Sequence, residues 1–131
     1  MAISVKPPRR CLVADDEPQI GALIREVLAQ HGYAADVVAD GEAATRKLAD
    51  HDYSLIVSDV MMPRKTGVEL VREVRAGGSE IPVILMSSFL SDETVHACSK
   101  LSFIAFLQKP FSLAELRRAV DRASSPVIRN R

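Results

Sequence analysis

The stretch Leu12-Val13-Ala14-Asp15-Asp16-Glu17-Pro18 decides the fold. With Cys11 ahead of it, an apolar run over residues 11–14 halts at two adjacent acids. Unbroken apolar character without polar alternation is the pattern of a strand covered on both faces, the situation of strands in parallel sheets. A helix follows at once. Ile20, Leu23, Ile24, Val27 and Leu28 recur at three-and-four spacing, Pro18 suits the first turn, and Gly32 suits the stop.

Working outward, the same unit recurs along the chain. Residues 33–38 read as a second, weaker strand, and Asp40 caps a short helix carrying Ala44 and Leu48. Residues 53–57 form a third strand ending at Ser58 and Asp59, and the loop over 61–65 contains Pro63. Thr66 with Glu69 makes a capping box; Leu70, Val71 and Val74 are the buried stripe, and Gly77-Gly78 stops that helix. Residues 81–86 are the fourth strand, after which Ser91 caps a helix whose acidic first turn, Asp92 and Glu93, complements the helix dipole. Residues 103–107 are the fifth strand, ending at Gln108, Lys109 and Pro110. Ser112 with Glu115 is a second capping box, and Phe111 with Leu116 a hydrophobic staple. The order βαβαβαβαβα implies an α/β fold, a doubly wound five-stranded parallel sheet with helices on both faces.

Composition agrees with one domain. The chain has 131 residues, 47% apolar and 26% charged, enough for a core without disulfides or structural metals. The longest uncharged run, residues 81–91, falls short of the roughly 20 apolar residues of a transmembrane helix, and residues 1–10 contain no signal-peptide stretch. The expectation is a soluble, cytoplasmic protein without membrane association. Residues 1–9 read as a flexible extension, 10–123 as the domain, and 124–131 as a tail or linker stub. Cys11 and Cys98 read as reduced core thiols. With 17 basic and 17 acidic side chains the net charge is zero, which argues against direct nucleic-acid binding. Arg117, Arg118 and Arg122 read as a solvated helix terminus. His31 and His51 lie near helix ends and His96 on a solvated face, none with a catalytic setting.

Chemistry collects at the strand ends: Asp15 and Asp16 after the first, Asp59 after the third, Ser87 after the fourth, Lys109 after the fifth. In an open parallel sheet all these ends lie on one edge, where ligands bind. If the first and third strands are neighbours, three carboxylates converge and repel unless a cation joins them. Oxygen-only ligands suit Mg²⁺. Ser87 adds a donor and Lys109 a charge, which together make a phosphoryl-binding site. Asp59, ending a central strand, is the candidate nucleophile for an aspartyl phosphate. No glycine-rich phosphate loop, Walker lysine or site histidine is present, so the phosphoryl donor lies outside this set.

These motifs, with Ser58-Asp59-Val60-Met61-Met62-Pro63 and Gly67 after it, Met86-Ser87-Ser88, and Lys109-Pro110-Phe111, resemble a chemotaxis-regulator-like receiver domain of the two-component response regulators over about residues 10–123. The resemblance implies a bacterial, (βα)5 flavodoxin-like fold with strand order 2-1-3-4-5. It implies that Asp59 accepts phosphate from a sensor histidine kinase or a histidine phosphotransfer protein. Asp16, Asp59 and the Met61 carbonyl would bind Mg²⁺, with Asp15 binding through water. Ser87 and Lys109 would contact the phosphoryl oxygens, Phe106 would be the switch aromatic, and Lys109–Pro110 would be cis. The output would pass through the face of the fourth helix, fifth strand and fifth helix to a protein target or a fused effector domain. Departures from the family pattern are Leu101-Ser102-Phe103 where many receivers carry Ala-Gly-Ala, Ser88 for a frequent alanine, and Phe89 beside it.

This describes a regulatory phosphoacceptor rather than an enzyme on free substrates, one that promotes its own phosphorylation and slow dephosphorylation. Two alternatives use the same fold: a phosphorylation-independent interaction module, and a small Mg²⁺-dependent phosphatase. Against the latter, Val60 and Met61 follow Asp59 and leave no second carboxylate two residues on. A single-domain regulator and the receiver portion of a longer protein both remain open.

Overall fold

The computed structural model describes residues 8–124. The elements are β1 (Arg9–Ala14), α1 (Pro18–Gln30), β2 (Tyr33–Val38), α2 (Gly41–Asp50), β3 (Leu55–Asp59), α3 (Gly67–Ala76), β4 (Val83–Ser87), α4 (Asp92–Ser99), β5 (Ala105–Gln108) and α5 (Leu113–Ser124). One five-stranded sheet has the order β2-β1-β3-β4-β5, and every neighbouring pair is parallel. The flavodoxin-like architecture and its 2-1-3-4-5 order are those expected.

Side chains alternate across a strand, and the central strands are apolar on both faces, so the sheet supports two cores. Cys11, Val13, Leu55, Val57, Ile84 and Met86 pack with Ile24, Leu28, Leu116 and Val120 of α1 and α5. Leu12, Ala14, Ile56, Val83 and Leu85 face the other way, against Leu70 and Val71 of α3 and Cys98 of α4. Leu12, Ile56 and Leu85 are fully buried, each worth roughly 1.5–3 kcal/mol of transfer free energy. Both cysteines are buried and free, and burial pushes the Cys11 thiol far above its ordinary pKa.

The local signals operate as read. Asp40 accepts from the Ala43 N–H, Thr66 and Glu69 exchange both capping-box bonds, and Ser112 and Glu115 do the same at α5. Gly32 follows α1 at φ +85°, a left-handed conformation that suits glycine. Three strands start two residues later than the apolar runs predict, and each includes the polar or acidic residue expected just beyond it. Ser58 pairs with Ala14, Asp59 with Met86, and Ser87 with Gln108. The ladder bonds backbone groups and is indifferent to side-chain polarity, so hydropathy misplaces such ends. β1 takes in Arg9 and α5 runs to Ser124, one residue outside each expected domain edge. The remaining expectations for the terminal segments fall on residues 1–7 and 125–131, outside the described residues. Among the described residues no helix is long and apolar enough to cross a membrane.

Candidate functional site

The β1–β3 pairing sets the site. Asp15 follows β1, held by its N–H on the Val38 carbonyl at 3.0 Å; Asp59 ends the adjacent β3. Lys109 follows β5, its N–H on the Ser87 carbonyl at 2.8 Å, and the Lys109–Pro110 peptide is cis as the resemblance implies. From there the Lys109 ammonium reaches back across the edge. Its Nζ lies 2.6 Å from Asp59 Oδ2, 2.7 Å from Glu17 Oε1 and 2.8 Å from Asp15 Oδ2. One carboxylate oxygen from each of Asp15, Glu17 and Asp59 falls within 4.8 Å of the others.

The charges do not balance. One ammonium stands among three carboxylates, and the Asp15 and Lys109 side chains are 0% and 7% exposed. Burial pushes the Asp15 carboxyl above the usual range, and Lys109 pulls it back only in part. Burial alone would lower Lys109, but its contacts with Asp15, Asp59 and Glu17 outweigh that and hold it above the ordinary lysine value. Asp15 Oδ2, although close to the ammonium, receives no directed hydrogen bond. A buried oxygen without a donor, in an all-oxygen set with excess negative charge, fits a hard divalent cation.

The backbone around Asp59 is tightly seated. Asp59 Oδ1 accepts the Met61 N–H at 2.9 Å, which turns the chain toward α3. A Cβ at Gly67 would meet the Asp59 carbonyl oxygen at 2.2 Å, so only glycine permits α3 to begin this close to the acid.

Of the residues expected at the site, Asp15, Asp59 and Lys109 are brought together. Asp16 is exposed and stands outside the three-carboxylate group. Ser87 is fully buried at the edge, but its hydroxyl closes a local turn, donating to the Phe89 carbonyl at 2.9 Å and accepting the Phe89 N–H. Phe106 is half-buried and meets Phe103 edge-on at 6.2 Å between centroids. Leu101 and Phe103, the departures from the family's small residues, pack on the second core, and Arg75 of α3 donates to the Ser102 carbonyl at 2.7 Å. Glu17 is the residue that strand-end reasoning misses. It is the N-cap of α1, past the strand, yet makes no side-chain cap bond because its carboxylate reaches Lys109. Its signal was the third acid in the run that ends at Pro18.

Fold and edge together define a doubly wound α/β domain with an acid-and-lysine crevice at the carboxyl ends of its strands. The sequence matches the response regulator receiver domain over residues 11–121, and the chain belongs to that family, the regulatory domain of two-component systems. It is 39% identical over 112 residues to the transcriptional regulatory protein RprY of Bacteroides fragilis, covering 86% of this chain and 48% of that protein. The chain spans about half the length of the curated relatives it matches. Among solved structures it resembles the chemotaxis response regulator CheY4 of Vibrio cholerae, with a TM-score of 0.79 at 28% identity over 88% of this chain and 98% of that one. It also resembles the response regulator TrrA of Thermotoga maritima, solved in complex with Mg²⁺-BeF, with a TM-score of 0.73 at 31% identity over 88% of this chain and 98% of that one.

Proposed function

We propose that this domain is a phosphorylation switch in which Asp59 accepts a phosphoryl group from the phosphohistidine of a sensor histidine kinase or a histidine phosphotransfer protein. The observation that carries this reading is Asp59 Oδ2, 2.6 Å from a buried lysine among carboxylates at the sheet's carboxyl edge. An Asp59 oxygen forms a bond to phosphorus as the donor's P–N bond breaks, and the electron pair leaves with the imidazole. The fit of Asp15 and Asp59 to a hard cation supports Mg²⁺ at this edge, with Asp16, Asp59 and the Met61 carbonyl as ligands and Asp15 acting through water. Bound there, Mg²⁺ offsets the negative charge that otherwise opposes an incoming phosphoryl group.

Lys109 stays protonated and donates to a phosphoryl oxygen. Ser87 can donate to another only by releasing the Phe89 carbonyl, so its engagement rearranges the loop between β4 and α4. That loop leads into Ser91, the N-cap of α4, and the half-buried Phe106 lies on β5, paired with Leu85 of the neighbouring β4. Phosphate thus biases the α4-β5-α5 face, which passes the signal to a protein target or a fused effector domain. Water at the same site returns the domain slowly to rest.

Intact-mass measurement after incubation with Mg²⁺ and acetyl phosphate tests this directly. One added phosphoryl group, removed by hydroxylamine and absent in Asp59→Asn, is the expected result. A folded protein that takes up none overturns the switch and leaves a phosphorylation-independent interaction module.

A further inference from the structure

The Lys109 ammonium donates to Glu17 and Asp59 at 2.7 and 2.6 Å and has Asp15 Oδ2 2.8 Å away without a directed bond, so carboxylates surround it where a phosphoryl oxygen would have to approach. Those neighbours differ in how easily they let go. The Asp15 side chain is fully buried and that of Asp59 is 9% exposed, whereas the Glu17 side chain is 59% exposed. A carboxylate leaving the lysine from Glu17 enters water and is rehydrated; one leaving from Asp15 stays desolvated. Glu17 also spends its side chain on Lys109 instead of capping α1, which ties its position to the site and not to the helix.

We infer that Glu17 is a positioning residue for phosphoryl uptake: a releasable counter-ion that holds Lys109 before the phosphoryl group arrives and surrenders it on arrival. The inference rests on the phosphoacceptor reading above and deepens it. At rest Glu17 occupies a proton that an incoming phosphoryl oxygen needs. Once the phosphoryl group is in place, repulsion between two anions drives Glu17 outward, and Lys109 transfers without deprotonating. Glu17 therefore raises the donor concentration needed for uptake, while the transfer step at Asp59 keeps the same lysine.

The test is phosphoryl uptake from acetyl phosphate with saturating Mg²⁺, followed by intact mass over a range of donor concentrations. The proteins compared are the wild type, Glu17→Gln, and Glu26→Gln, which removes the same charge from an exposed position on α1. Thermal unfolding confirms that each is folded, as substitutions at exposed positions allow. In Glu17→Gln the half-saturating donor concentration falls about two- to fivefold, the range of one partly exposed ion pair. Its saturated rate changes less, and Glu26→Gln matches the wild type. An unchanged half-saturation in Glu17→Gln, or an equal shift in Glu26→Gln, overturns the inference while leaving the phosphoacceptor reading intact. A wild type that takes up no phosphoryl group overturns both.

Discussion

Two charged clusters in this domain have opposite character. At the carboxyl edge, Lys109 faces Asp15, Glu17 and Asp59, and one buried oxygen lacks a directed donor. Around β2, Asp36 Oδ2 accepts from both Arg10 and the Tyr53 hydroxyl, and the second Arg10 amine meets His51 Nδ1 at 3.0 Å. Here one carboxylate has two donors, and Arg10 also lies over the Tyr53 ring at 5.3 Å. The Tyr53 hydrogen bond, ahead of Arg10, holds Asp36 below the usual carboxylate range, and burial with that same bond pushes Tyr53 up to about 12. The difference teaches where function sits: a satisfied cluster ties β1 and β2 to the segment that leads from α2 into β3, while an unsatisfied one holds binding capacity in reserve.

Removing the lone cation should have the largest effect. Lys109→Met leaves buried carboxylates unopposed, and metal-free stability should fall by about 3–5 kcal/mol in urea unfolding. A loss below about 1 kcal/mol would erase the contrast between the clusters. Next is Asp36→Ala, which strands two donors and should cost about 1–3 kcal/mol by the same measurement. Mg²⁺ should then separate the regions: at tenfold above its Kd it should raise wild-type stability by about 1.4 kcal/mol and leave Asp59→Asn nearly unchanged. Without metal, Asp59→Asn should itself unfold no more easily than the wild type, and up to about 1 kcal/mol less easily, because an amide relieves repulsion that Asp36 never experiences. The smallest effect is on pH. A carboxyl with a depressed folded pKa contributes stability above its unfolded value and loses it as pH falls through the folded one. The stability gap between wild type and Asp36→Ala should therefore narrow below about pH 4.

Much of this was legible in the chain. Strand and helix alternation follows from hydropathy, and four helix starts carry their own caps at Asp40, Thr66, Ser91 and Ser112. Asp15, Asp59 and Lys109 were legible as site residues because each ends an apolar run. Strand ends were misplaced by one or two residues because backbone pairing continues through Ser58, Asp59 and Ser87. Ser87 could be placed at the edge, but the direction of its hydroxyl depends on a turn whose only sequence mark is Ser87-Ser88-Phe89.

What the sequence by itself determined is local. Periodicity, capping and the polar stops act over a few residues, so they specify the elements, their order and the acids and lysine each strand delivers. The tertiary structure decided which of those residues meet. Parallel pairing of β1 with β3 brings Asp15 beside Asp59, and Lys109 reaches Glu17 across 92 positions of chain. That contact depends on the ordering of five strands and the reach of two long side chains, which no local pattern encodes. The same geometry left Asp16 outside the carboxylate group and turned the carboxylate of its exposed neighbour Glu17, the N-cap of α1, onto Lys109.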